Sequence, residues 1–158
     1  MSQEGPSGST TARPPGPLSR WLVRRFGALH AFVYRRGMAR RMGPVQVILL
    51  TTTGRKTGRS QTVPLNGMPE GDGFVVIGSN GGSDLDPGWW LNLVASPDAS
   101  IQVNNQVIRV RMEPVTDLAE HRRLWDKVVA SMRGYAGYQK KTKRVIPLGL
   151  LRPSPNRG

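Results

Sequence analysis

Apolar positions in this chain fall into two regimes. From Leu18 to about Met38 they recur at three- and four-residue steps: Leu18, Trp21, Leu22, Phe26, Leu29, Phe32 and Val33 form one stripe. Arg20, Arg24 and Arg35 lie opposite, which predicts an amphipathic helix ended by Gly37 and Gly43–Pro44. Beyond residue 44 short apolar runs alternate with glycine, proline and asparagine clusters. Val47–Leu50 followed by Thr51, Thr52 and Thr53 predicts a strand, because such side chains suit a pleated, half-buried surface. Gly54 and Gly58 permit a tight connection into a second extended run ending at Leu65. Met68–Gly73 predicts a turn and Phe74–Gly78 a short buried strand. Ser79–Asp86 reads as a loop, and Pro87 opens a short helix closed by Ser96–Pro97.

Ile101–Asn104 and Gln106–Arg111 predict a hairpin turned at Asn104–Asn105. Alternation of Val107, Arg109 and Arg111 with Ile108, Val110 and Met112 leaves one face wet. Asp117 with Glu120 resembles a capping box, and the helix it starts puts Leu124, Trp125, Val128, Val129 and Met132 on one face. Gly134 breaks that helix, Tyr135–Lys140 makes a further turn, and Val145–Leu151 predicts the last strand. Strand pairs arrive as hairpins without crossover helices. That order favours a mainly β (α+β) fold, a small antiparallel barrel with peripheral helices, over a doubly wound sheet. Residues 1–17 form a Gly/Pro-rich tail expected to be disordered, 18–43 the basic helix, and 44–152 the barrel domain.

At 158 residues the chain holds one domain with one real core. The absence of cysteine excludes disulfides, thiolate metal sites and cysteine nucleophiles. His30 and His121 stand far apart without carboxylate companions, so no metal site is expected. No run approaches the ~20 apolar residues of a membrane-spanning helix, and Met1–Pro17 lacks a signal-peptide core. A cytoplasmic protein, or one peripheral on the inner face of the cell membrane, is expected. The formal charge of +13 favours an anionic partner: nucleic acid, an acidic membrane or a phosphorylated or polycarboxylate cofactor. Nucleic acid is disfavoured because no recognisable binding motif interleaves the charge with exposed aromatics. The basic helix has two uses that stay open, packing on the domain or lying on an anionic membrane.

The turn between the first two strands carries Arg55, Lys56, Thr57 and Arg59. Guanidinium forks, an ammonium and free backbone N–H groups on a tight loop suit a phosphate or carboxylate. It is not a Walker A loop, since the glycine–lysine spacing differs and no helix follows. An ordinary basic hairpin turn is the alternative.

LLTTTGRKTGR, TVPL, GSNGG, PGWWLNLVASP, YAGYQKKT and VIPL, in that order, resemble the deazaflavin-dependent nitroreductase family. The resemblance runs from about Val45 to Leu151. It implies a split β-barrel that uses reduced coenzyme F-420, a deazaflavin with a phosphodiester and an oligoglutamate tail. Arg55, Lys56, Thr57 and Arg59 are then implied to hold the phosphate and tail. Backbone near Gly78 and Ser79, the Asn80–Gly81–Gly82 loop, and Trp89, Trp90 and Asn92 are implied to border the same groove. Adjacent helix positions point about 100° apart, so one tryptophan is expected in the core and the other at the groove. Tyr135 and Tyr138 share one face of a helical turn and are implied to close over the substrate end, with Ser79 as the third neutral donor. A third aromatic often stands three residues earlier in the family, where this chain has Met132. The implied activity is hydride transfer to a hydrophobic, electron-poor acceptor such as a quinone, enone or nitroaromatic. A non-catalytic split barrel that binds flavin or another ligand is the alternative. Monomer or weak homo-oligomer is expected.

Overall fold

The computed structural model describes residues 45–155. The expected tail over 1–17 and basic helix over 18–43 lie outside the described residues. Six antiparallel strands close into a barrel in the order β1-β2-β3-β6-β5-β4. They are β1 (Gln46–Thr53), β2 (Ser60–Glu70), β3 (Gly73–Ile77), β4 (Asp98–Val103), β5 (Gln106–Pro114) and β6 (Leu148–Pro153). Helix α1 (Gly88–Ala95) joins β3 to β4, while α2 (Leu118–Ser131) and α3 (Gly134–Lys141) join β5 to β6.

Period-two alternation decides what fills the barrel. Ile48 and Leu50 of β1 meet Val76, Ile101, Val103, Val110, Met112 and Leu151 in one buried cluster, into which α1 inserts Trp90 and Leu93. On the outer side, Met68, Val75, Ile77, Leu148 and Leu150 form a second cluster, covered by Leu124 and Val128 of α2. Strand β3 is therefore buried on both faces, which accounts for its unbroken apolar run of Phe74–Ile77. Each fully buried aliphatic side chain contributes about 1.5–3 kcal/mol.

Several local expectations meet their structural counterparts. Asp117 Oδ1 accepts from the Glu120 N–H at 2.8 Å, capping α2. Asn104, at φ 52°, takes the left-handed conformation that the β4–β5 turn needs. The alternating β5 face carries exposed Val107, Arg109 and Arg111 against buried Val110 and Met112. Other boundaries differ. Met68–Glu70, expected in a turn, extend β2 by pairing with Val75, Phe74 and Gly73, leaving only Gly71–Asp72 to reverse the chain. Pro69 is tolerated because β1 pairs with β2 only as far as Gly67, so one side of this stretch is an edge. The last strand begins at Leu148, not Val145, because Val145 is exposed and residues 142–147 tie down a loop described below.

Candidate functional site

The basic turn is closed by its own backbone: Gly58 N–H donates to Gly54 O at 2.7 Å and Gly54 N–H to Arg59 O at 2.8 Å. Asn92, on α1 and only 1% exposed, anchors it. Its Oδ1 accepts from Arg55 N–H and from Arg55 Nη1, each at 3.1 Å. Its Nδ2 donates to Thr52 Oγ1 at 3.2 Å and Gln61 Oε1 at 3.0 Å. Two lone pairs and two N–H groups are thereby filled, so the amide positions the turn instead of reaching a ligand. Arg55 is committed to α1 as well, with Nη1 also 3.4 Å from Gly88 O. Lys56 and Arg59 are exposed at the tip. Among the described residues neither has a carboxylate within ion-pair distance. Thr57 Oγ1 accepts from Arg59 N–H at 3.3 Å.

Of the two tryptophans, Trp90 lies in the barrel core and Trp89 is half-buried, their rings meeting edge-on at 5.8 Å. Trp90, expected among the ligand-contacting residues, therefore acts as packing. Pro147 leaves no room beside Gly78, where a Cβ would come 2.8 Å from its Cγ and, at 3.4 Å, into ordinary contact with the Trp90 indole. Helix α1 thus holds the turn through Asn92 and places Trp90 beside Gly78.

The second half pairs the loop after β3 with α3. Ser79 is 7% exposed, and its carbonyl accepts from Gly82 N–H at 2.9 Å. Asn80, at φ 46°, turns the chain and donates from Nδ2 to Leu85 O at 3.0 Å. Gly82, at φ 87°, lies so close to α3 that a Cβ would be 2.8 Å from Tyr138 O. The Tyr135 and Tyr138 rings meet edge-on at 5.4 Å, and Lys141 Nζ sits 5.6 Å from the Tyr138 ring centre. Burial pushes the Tyr135 phenol above its ordinary pKa, against a weak bond from Asn66 Nδ2 at 3.5 Å. The structure thus brings Gly82 of the Asn80–Gly82 turn against the tyrosine helix and ties Asn92 of α1 to Arg55 of the basic turn, while Trp89 packs on the barrel core. Sequence reasoning missed Thr52, Gln61 and Asn66, and also Arg144, whose partners span the whole loop. None of them stands at a local spacing that signals its distant partner.

A cleft of about 370 Å³ opens beside the turn, lined by Thr51, Thr53, Ser60, Ser100, Arg109 and Ser154 among others. Thr53 and Ser60 are the last pair of the β1–β2 ladder, so the cleft starts where the turn is rooted. Its lining also includes Asp98 and none of Lys56, Arg59, Ser79, Trp89, Tyr135 or Tyr138, so the cleft is distinct from the residues singled out in the sequence. The exposed cations and hydroxyl of the turn by themselves suit an anionic group.

Residues 27–153 match the F-420H(2)-dependent quinone reductase family. The chain belongs to that family. An F-420H(2)-dependent quinone reductase of Mycobacterium tuberculosis is 36% identical over 144 residues, covering 85% of this chain and 97% of that protein. A solved F-420-H2 dependent reductase, FDR-A, has a TM-score of 0.61 at 32% identity, with 69% of this chain and 94% of that one covered. A second solved chain, a domain-swapped dimer, has a TM-score of 0.62 at 27% identity, with 85% of this chain and 98% of that one covered. Family membership and the barrel together make the protein an oxidoreductase that depends on reduced coenzyme F-420.

Proposed function

We propose that this F-420-dependent reductase passes a hydride to a quinone-like acceptor, with the two halves of the site dividing the work. Bound reduced coenzyme F-420 supplies the hydride, and a proton completes reduction of the acceptor. Lys56 and Arg59, with the Thr57 hydroxyl, hold the coenzyme's phosphate and carboxylates. Arg55 and Asn92 keep that turn in shape, and Trp89 with the backbone of Gly78, Ser79 and Asn80 borders the ring. Ser79, Tyr135 and Tyr138 are neutral donors that stabilise negative charge arising on the acceptor oxygen. Burial keeps the Tyr135 phenol protonated, as a donor must be.

The observation that carries this reading is the pair of exposed cations on a braced turn, without a carboxylate partner among the described residues. A charge-assisted contact is worth about 1.5–3 kcal/mol, or roughly ten- to hundredfold in affinity. Tryptophan quenching on titration with coenzyme F-420 tests it. The Lys56→Ala/Arg59→Ala double variant is expected to raise the dissociation constant and flatten its salt dependence; unchanged binding rejects the assignment. A parallel titration with flavin mononucleotide separates the ligand-binding alternative, which requires the flavin to bind more tightly.

The acceptor class also supports a place on a membrane surface, since a lipophilic quinone partitions into the bilayer. Among the described residues no helix is long and apolar enough to cross a membrane. On this reading the basic 18–43 segment supplies the surface attachment through its cations, each worth about 1 kcal/mol near anionic lipid.

A further inference from the structure

Arg144 lies on the connection from α3 to β6, with its side chain 18% exposed. Its guanidinium spreads over the loop of residues 78–86. Nε donates to Ser83 O at 2.8 Å and Nη1 to Asp86 Oδ1 at 2.7 Å. Nη2 faces three carbonyls, Gly78 O at 3.0 Å, Ser79 O at 3.1 Å and Leu85 O at 3.3 Å. Pairing with Asp86 alone would need one nitrogen. Four of the five acceptors are instead main-chain carbonyls, drawn from both ends of the loop that bears Ser79. Only a planar fork of fixed N–H groups spans such a set; a lysine ammonium, a single point, does not.

The arginine is itself held from α3. Gln139, next to Tyr138, donates from Nε2 to Arg144 O at 2.8 Å and accepts from Ile146 N–H at 3.1 Å. Thr142 Oγ1 accepts from Arg144 N–H at 3.3 Å and donates to Asp84 Oδ1 at 2.7 Å, a second tie to the same loop. Gly78 N–H donates to Pro147 O at 2.9 Å, a third. We infer that Arg144 is a positioning residue for hydride transfer, setting the Gly78–Ser79 backbone, and through it the Ser79 hydroxyl, against the helix that carries Tyr135 and Tyr138. This rests on the proposed roles of Ser79 and the tyrosines. Its importance follows from the tolerance of such sites, where a misplacement of about 1 Å costs roughly a hundredfold in rate. The basic turn is braced by Asn92, not by Arg144, so anchoring of the coenzyme's anionic end is separable from this role.

The test compares the full chain with Arg144→Ala and Arg144→Lys, using turnover, coenzyme affinity by tryptophan quenching, and hydrogen exchange of the ligand-free protein. Arg144→Ala is expected to lower kcat 30- to 100-fold and change coenzyme affinity less than threefold. Exchange should speed up in peptides spanning residues 78–86 and α3, and stay unchanged in the β1–β2 hairpin. Guanidinium chloride at tens of millimolar should restore both loop protection and at least fivefold of the lost kcat in Arg144→Ala, with no gain in Tyr138→Phe. A folded Arg144→Ala with kcat within threefold of the parent overturns the inference. So does loss of turnover with loop exchange unaltered and no guanidinium rescue. Should Arg144→Ala fail to fold, Arg144→Lys carries the test, with at least tenfold lower kcat and faster loop exchange expected; a lysine variant equal to the parent overturns it. The underlying reading of the site fails separately, if Ser79→Ala, Tyr135→Phe and Tyr138→Phe all turn over like the parent.

Discussion

Asn92 shows how one buried amide sets the geometry of a charged turn. Removing it leaves Thr52 Oγ1, Gln61 Oε1, the Arg55 N–H and the Arg55 guanidinium without their partner. Only Thr52 among these residues is buried, and a buried polar group stranded in this way costs about 1–3 kcal/mol. Asn92→Leu is therefore expected to lose roughly 1–3 kcal/mol of stability in urea titrations and to weaken coenzyme affinity by releasing the turn. Tyr135 makes a second prediction at this scale. Its pKa is raised by burial, so its neutral form contributes stability fully below about 10, lost as pH rises through the higher folded-state value. Between pH 6 and 9 the phenol keeps its proton, and Tyr135→Phe should leave the shape of the pH–rate profile there unchanged while lowering turnover. Ultraviolet titration of tyrosinate should show one group ionising later in the parent than in that variant.

Among the elements, β2 and α2 are joined by charge as well as by packing. Glu70 of β2 accepts from Lys127 and from Arg123 of α2, and Arg123 also binds Glu120. Bonds from Lys127 first, then Arg123, hold the Glu70 carboxyl below its usual range. With a lowered folded-state pKa, its contribution is present above about 4.5 and disappears as pH falls through the lower value. Thermal melts between pH 6 and 3 should therefore fall, and Glu70→Gln should lower Tm at pH 6 while flattening the acid limb. The cap at the start of α2 is smaller and independent: Asp117→Ala should cost about 1 kcal/mol at neutral pH, readable as a modest loss of urea midpoint.

At the scale of the whole molecule, attachment of the 18–43 segment to lipid predicts that the full chain pellets with anionic liposomes and a chain starting at Gly43 does not. Equal pelleting would make the segment packing rather than an anchor. Much of the fold was legible because its signals are local. The Val47–Thr53 run, the Asp117 cap, the Asn104–Asn105 turn and the alternation in β5 each follow from neighbours in sequence. Met68–Glu70 misled for the opposite reason: turn-rich composition was overridden by pairing with β3. The site divides along the same line. Its charged and aromatic residues stood out as motif blocks, whereas which of them are saturated was invisible. Asn92 draws partners from β1 and β2, and Arg144 reaches back to Gly78, contacts that no spacing announces.

The strand order has a consequence for how the molecule is made. Strand β6 sits between β3 and β5 yet is the last of the six to be synthesised, and Phe74 must find Leu151. Until then β3 and β5 each present a bare row of backbone donors and acceptors, and such edges recruit other chains. The nascent protein is thus a five-stranded open sheet awaiting its keystone, with the slow, long-range closure that such a topology imposes. A stop codon after Pro147 should yield aggregates by light scattering, although residues 54–59, Ser79, Tyr135 and Tyr138 are all still encoded. Refolding yield should depend on concentration more steeply than for a barrel whose neighbours in space are neighbours in sequence.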